Sequence, residues 1–359
     1  MPLIKSLFLL QVFVLLGIIT KAQKPVTQFN GFGHVEYALQ RNADQTNSFF
    51  SIGEHDFFVT SKLNKSISFL GEYVIRFNGN SATSFLPSIE RTLVKFNYYK
   101  NHNLIAGKIH TPLNYWNDVY HHGRLFFPTI DRPLSFNYLI PLHTLGVQFQ
   151  GQNLGRLNFG YDVVAGNGIS STDVFNTSTR SSVTAAVHIK PIDGMRIGAS
   201  YYTDYLPNNT SGVHSGHSGN RPHYTGQLYK GPVRFRLSAF SFAYFTDRFE
   251  LLNEFVYNRT ITDTLGKANN YSNFLYAGLR IKDKHVPYFL VDYLNINEKD
   301  LHAYPIITQK VALGYKHEFT TYINLKSQIE YTRSHLPHEK HSHSLGENLS
   351  FKVQLAYGF

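Results

Sequence analysis

Cysteine is absent from all 359 residues, which excludes disulfides, thiolate metal sites, cysteine nucleophiles and a lipid-modified cysteine. The absence suits an exported chain, because unpaired thiols are a hazard in an oxidising compartment. Charge is sparse as well: 16% of residues are Asp, Glu, Lys or Arg, against about 25% in ordinary soluble proteins. No long apolar run follows the first two dozen residues, and a spanning helix needs about 20 consecutive apolar residues. A helical membrane bundle is therefore excluded. The formal net charge is +10, but the basic residues are spaced singly rather than clustered, so nucleic acid is not an expected partner.

Aromatic residues are abundant, at 15%, although tryptophan occurs only at position 116. The amino terminus, MPLIKSLFLLQVFVLLGIITKAQ, places Lys5 before an apolar stretch from Leu7 to Ile19 and a small residue, Ala22, before a polar restart. This pattern reads as a secretory signal peptide over 1–22, cleaved after Ala22, with one mature domain over 23–359.

From Val26 onward the chain alternates apolar and polar residues in stretches of ten to fourteen. Ile67, Phe69, Tyr73, Ile75 and Phe77 share one face, with Ser68, Glu72, Arg76 and Asn78 on the other. Leu157, Phe159, Tyr161 and Val163 oppose Arg156, Asn158, Gly160 and Asp162 in the same way. Such period-2 patterning is what a membrane barrel demands, because lipid and lumen take opposite faces of each strand. A β-sandwich would use shorter strands, of about five or six residues. Tyr98, Tyr99, Tyr201, Tyr202 and Tyr205 near strand ends suit aromatic girdles at the membrane interfaces.

Tight turns are expected near Asn64, Asn101, Asn153, Asp193, Asp247, Asp283 and Thr320, where Asn, Asp and Gly tolerate left-handed backbone. Longer polar connections alternate with them, among them Arg41 to Ser48, Gly79 to Ser88, His110 to Leu142, Leu206 to Pro232 and Thr262 to Asn270. Short turns at one end and long loops at the other predict an all-β fold: a transmembrane antiparallel barrel of about sixteen strands in the bacterial outer membrane. HYTGQLYKG inside 206–232 could be an extra strand, but an odd count would break closure and it is read as loop; eighteen strands is the alternative count. The last stretch sets Leu349, Phe351, Val353, Leu355, Tyr357 and Phe359 on one face. It resembles the terminal strand by which such barrels engage the outer-membrane insertion machinery.

A sixteen-stranded barrel encloses water rather than a packed interior, so function is expected on lumen faces and in loops. Alternation turns Arg76, Arg91, Lys95, Arg156, Arg196, Arg234, Arg236, Arg280, Lys310, Lys316, Lys326 and Lys352 inward. Glu72, Asp162, Asp204, Glu254, Asp292, Glu318 and Glu330 follow. The basic balance predicts a mild anion preference.

The third long connection carries Trp116, Asp118, His121, His122, Arg124, Asp131 and Arg132. Signal peptide, strand count, long third loop and terminal Phe together resemble a general bacterial porin. The run GKIHTPLNYWNDVYHHGRLFFPTIDRP, over 107–133, is similar to a segment of proteins related to the phosphate-selective O and P porins. That resemblance implies a third extracellular loop folded toward the lumen, with those seven residues at the pore constriction and Arg124 and Arg132 facing acids across a gap. Acids sit beside the arginines and no dense arginine ladder occurs, so the expected function is passive diffusion of small polar solutes or anions rather than phosphate selection.

The implied partners are membrane lipid, lipopolysaccharide and small solutes, and a homotrimer is among the assemblies open to the chain. No cofactor is implied. His338, His341 and His343 stand close enough in sequence to converge on a metal, but without a carboxylate-rich frame they read as solvated loop residues. His214 and His223 lie in a polar loop of the same kind. A barrel hydrolase is the alternative function, with His217, Ser218 and Asn220, or His343 and Ser344, supplying the residue types, and the third is an adhesion or structural barrel.

Overall fold

Alternating apolar and polar residues become a single closed sheet. The computed structural model describes residues 25–42, 45–77, 85–120, 123–169, 180–206, 232–337 and 344–359. The signal-peptide expectation over 1–22 and the histidines at 121, 122, 214, 217, 223, 338, 341 and 343 lie outside the described residues, as do Ser218 and Asn220.

The wall begins with β1 (Val26–Arg41), β2 (Thr46–Lys62), β3 (Ile67–Phe77), β4 (Phe85–Tyr99) and β5 (His102–His110). It continues through β6 (His143–Leu154), β7 (Phe159–Gly166), β8 (Ser182–Ile189), β9 (Met195–Leu206) and β10 (Val233–Phe245). It is completed by β11 (Phe249–Thr262), β12 (Gly266–Leu279), β13 (His285–Asn295), β14 (Ile307–Thr320), β15 (Ile323–His335) and β16 (Ser344–Gly358). Each strand pairs antiparallel with its sequence neighbours, and β1 meets β16 from Phe32 opposite Gly358 to Arg41 opposite Leu349. Closure leaves no edge strand whose amides would face hydrocarbon unpaired.

Strand β14 shows why the sequence folds this way. Val311, Leu313 and Tyr315 project outward, Leu313 being 67% exposed, while Thr308, Lys310, Ala312 and Lys316 are buried on the inner side. Hairpin chemistry agrees with the turn residues. The Asn64 side chain accepts hydrogen bonds from the backbone N–H groups of Ser66 and Ile67, both at 2.8 Å. Lys282 and Asp283 take consecutive positive φ values of 49° and 59°, the backbone that a tight hairpin between right-twisted strands requires.

Several expectations are corrected. The turn anticipated at Asn153 lies further on: β6 runs to Leu154 through an irregularity after Gly151, and the chain reverses over 155–158. Arg156 and Leu157 are therefore exposed turn residues, not opposed strand faces. The connection anticipated over 262–270 shrinks to 263–265. Arg234 and Arg236 point away from the lumen and are exposed, because Val233, Phe235 and Leu237 take the inner face of β10. Tyr202 is likewise an inward side chain, 1% exposed, whereas its neighbour Tyr201 faces out; adjacent strand residues cannot share a face.

Strand β13, and strand β10 beyond Arg236, are largely apolar on both faces. Leu237, Tyr288, Leu290 and Leu294 are buried inside, against Phe240 and Phe289 exposed outside. This double-sided character prepares one half of the inner wall to receive something apolar.

Leu313→Arg is expected to destabilise the barrel by about 2–4 kcal/mol, as for a cation near the bilayer midplane, and Gln309→Arg near the strand end by about 0–1 kcal/mol. Equilibrium folding into lipid vesicles measures both; equal costs would remove β14 from the depth gradient of a bilayer.

A loop strapped across the barrel lumen

The segment between β5 and β6, residues 111–142, departs from the wall at a tied neck. Thr111 donates its N–H to the Leu142 carbonyl at 3.0 Å, and the hydroxyls of Thr111 and Thr144 meet at 2.9 Å. Asn117 closes the neck by donating its side-chain amide to the carbonyls of Thr111 at 2.7 Å and Leu142 at 3.2 Å. The segment contains a π-helical turn over Trp116–Tyr120 and a short helix, α1 (Leu134–Tyr138).

Contacts with strands far apart around the ring show where it runs. The Trp116 N–H donates to Glu254 of β11, and the Leu134 N–H at the start of α1 donates to Asp292 of β13, each at 2.7 Å. On β15, Asn324 and Lys326 donate to the carbonyls of Leu125 and Arg124 at 2.5 Å. Arg132 pairs with Glu54 of β2 at 2.7 Å, Asp131 with Lys352 of β16 at 2.7 Å, and Asp118 with Arg196 of β9. A segment bonded to inner side chains of β2, β9, β11, β13, β15 and β16 crosses the interior of the ring.

An apolar interface holds this crossing. Leu113, Trp116, Phe127, Phe136, Leu139 and Ile140 pack in one cluster with Phe235 and Leu237 of β10, Phe274 and Tyr276 of β12, and Leu290 of β13. The Trp116 ring lies 4.9 Å from Phe127 and 5.5 Å from Phe274, both edge-on. Full burial of one large apolar side chain is worth about 1.5–3 kcal/mol, so these six together offset part of the entropy cost of ordering the segment. Buried backbone amides of the loop find partners in Glu254 and Asp292, which accounts for acids on an otherwise apolar wall.

The seven residues anticipated at a constriction thus divide by role. Trp116, 1% exposed, is a core residue of the loop. Arg132, 8% exposed, meets its acid by direct contact and stacks over Phe127 and Phe136 at 5.5 and 5.2 Å. Arg124 turns its guanidinium to the Ile130 carbonyl and lies over Phe127 at 5.3 Å. Neither arginine faces an acid across an open gap. Burial opposes ionisation of Asp131, but Lys352 and Lys310 outweigh it and hold its carboxyl well below the usual carboxylate range. Of the described five, Asp118 keeps the most exposed side chain, at 31%, and Asp131 is partly exposed at 25%. Among the described residues no group of His and acids converges on a metal.

The opposite wall is charged. Arg76 bridges Glu54 at 3.1 Å and Glu90 at 2.7 Å, and His143 lies 3.1 Å from Glu90. Arg91 pairs with Glu72, which His110 approaches at 3.7 Å. At the short-turn end, Arg280 and Lys316 both engage Glu318 at 2.9 Å. Of the basic residues expected to face inward, Arg76, Arg91, Arg196, Arg280 and Lys316 all engage carboxylates. A cavity of about 490 Å³ opens at that end of β1–β4, lined by Gln28, Thr60, Lys62, Lys65, Lys95 and Asn97 among others. The sequence carried signals for what was missed: the largely apolar faces of β13 and of β10 beyond Arg236, and the histidines at both edges of the neck, His110 and His143.

No protein-family model matches this sequence, and neither does any curated protein. Solved structures do match. An anion-selective porin from Comamonas acidovorans superposes with a TM-score of 0.65 at 10% identity, over 94% of this chain and 100% of that one. The trimer form of OmpT, an outer membrane protein of Vibrio cholerae, gives 0.62 at 12% identity, over 94% and 100%. OmpF of Salmonella typhi gives 0.58 at 10%, over 93% and 97%. At these identities the likeness concerns the fold, a sixteen-stranded barrel of the bacterial outer membrane.

Because Trp116 is the sole tryptophan, its fluorescence reports the loop directly. Emission is expected to be blue-shifted and resistant to acrylamide quenching in the folded barrel, and Phe127→Ala should raise the quenching several-fold without unfolding the wall. Strong quenching of the unmodified protein would place the indole in open water.

Proposed function

We propose that this outer-membrane barrel is a porin, a water-filled channel for passive diffusion of small polar solutes or anions, in which segment 111–142 narrows the passage. The reading rests on the division of the inner wall. An apolar patch of β10, β12 and β13, formed by Phe235, Leu237, Phe274, Tyr276 and Leu290, engages the segment, while the wall of β2 to β4 carries alternating Glu54, Arg76, Glu90, Arg91 and Glu72. A hydrated solute requires the second kind of surface. Fold likeness to an anion-selective porin supports the same conclusion.

The ion pairs refine where selectivity arises. Arginines of the charged wall are matched by carboxylates, so their fields largely cancel at the distances a solute experiences. Lys62, Lys65 and Lys95 around the short-turn mouth have no ion pair among the described residues. The mild anion preference is therefore assigned to that mouth, and Arg124 and Arg132 are assigned to holding the loop. Passive diffusion needs no catalytic group, and the chain is read as non-enzymatic. A homotrimer is the proposed assembly, by analogy with the trimer form of OmpT.

Planar-bilayer recording tests the reading. Steady ion-conducting steps are expected, with a reversal potential in a salt gradient that favours anions. Lys62→Glu combined with Lys95→Glu should carry that potential toward cation preference. Arg132→Gln should instead increase open-channel noise while leaving the sign unchanged. Folded protein without conducting steps would remove the porin assignment, and a double variant with unchanged reversal potential would remove the lysine mouth as its filter.

A further inference from the structure

Two arginines that period-2 counting sends into the lumen stand outside it. Arg234 and Arg236 are exposed on the outer face of β10, just beyond the long 207–232 connection. Arg236 lies directly opposite Arg259 of β11, and cross-strand partners place their side chains on one face about 4.5–5.5 Å apart at Cβ. Like charges in that position repel, and the surroundings are less polar than bulk water.

Among the described residues no carboxylate relieves this repulsion. Arg234 and Arg236 form no ion pair, and Asp263 in the turn beyond β11 forms none with them. Arg259 is oriented instead by neutral groups. It donates to the Tyr257 hydroxyl at 2.6 and 3.0 Å and to the Asn269 side-chain oxygen at 3.1 Å. Arg180 lies over the Tyr205 ring at 4.7 Å, and Tyr205 is the β9 partner of Arg234. Lys267 of β12 adds a further exposed cation opposite Ile261.

The level on the membrane follows from the next residues along the same faces. Tyr201 faces Ser238, and Tyr257 faces both Ser238 and Tyr271, with the Tyr257 and Tyr271 rings 5.4 Å apart. These tyrosines form a local piece of the outer aromatic girdle, the level of the headgroup boundary. The arginines sit one step beyond it, where lipid phosphates of the external leaflet lie.

We propose that Arg234, Arg236 and Arg259 form a binding site for a lipid-borne phosphate of the outer leaflet, held on the outside of the barrel and separate from the pore. Two guanidinium groups facing one another without an acid supply a divergent set of donors that a phosphate, with several acceptor oxygens, can bridge. A phosphorylated lipid would thereby convert the Arg236–Arg259 repulsion into two charge-assisted contacts. Tyr201 and Tyr271 would border its acyl region.

The test uses the full barrel purified in neutral detergent, with lipid retention read by native mass spectrometry and by co-sedimentation with vesicles. Lipopolysaccharide, its dephosphorylated form, phosphatidylglycerol and inorganic phosphate serve as probes. Arg234→Gln, Arg236→Gln and Arg259→Gln together are expected to weaken lipopolysaccharide retention about tenfold to hundredfold, with single-channel conductance unchanged as the sign of an intact wall. Arg333→Gln, outward on β15 and paired with Glu347 at 3.6 Å, should have little effect. Loss of retention on dephosphorylation supports the site, and competition by phosphatidylglycerol extends it to any lipid phosphate. Undiminished retention by the triple variant, equal retention of the dephosphorylated lipid, or competition by inorganic phosphate without lipid binding overturns the proposal.

Discussion

Hydrocarbon offers no hydrogen-bond partner to a peptide group, and every other feature of this protein follows from meeting that condition by closure. The β1–β16 ladder, from Phe32 opposite Gly358 to Arg41 opposite Leu349, removes the last edge. Once the sheet is a ring, each strand has an outside that must suit lipid and an inside that is free to vary. Leu313 and Lys310, three positions apart on β14, show the two demands met on one strand.

The free inner face is used in two ways. Across β10, β12 and β13 it presents Phe235, Leu237, Phe274, Tyr276 and Leu290 as a docking surface for segment 111–142, with Trp116, Phe127 and Phe136 as anchors. Around β2 to β5 it is charged and extensively paired. The loop belongs to both halves. Its aromatic side packs on the first, and Arg132 reaches Glu54 on the second. Breaking such a buried pair from one side leaves an uncompensated charge, so these contacts fix the position of the loop more than they add to stability.

The exposed arginines of β10 and β11 show the same economy of charge on the outer face. Inside, Arg76, Arg91, Arg196 and Arg280 of the wall are set against carboxylates. Outside, above the tyrosines of the girdle, Arg236 and Arg259 face each other with no carboxylate among the described residues.

Much of the fold was legible in the sequence, because a barrel strand is a local pattern: Glu72 between Phe69 and Tyr73, or Lys352 between Phe351 and Val353, announces its face through alternation alone. Asn64 and Asp283 announced their turns by the backbone they tolerate. Alternation failed where its phase was not fixed, as at Arg156 beside an irregularity in β6 and at Arg234 and Arg236 after a long connection. The prominence of 111–142 was visible in its broken rhythm and single tryptophan. Its contacts were not, because Glu54, Glu254, Asp292, Lys326 and Lys352 lie far from it in the chain, and which of them meets Arg132, Trp116, Leu134, Arg124 or Asp131 depends on how the ring closes. The sequence by itself determined a membrane barrel, since periodicity is a property of neighbouring residues. Only the tertiary structure decided which charges cancel, which aromatic residues are buried and which arginines face lipid, since those depend on strands brought together from across the whole chain.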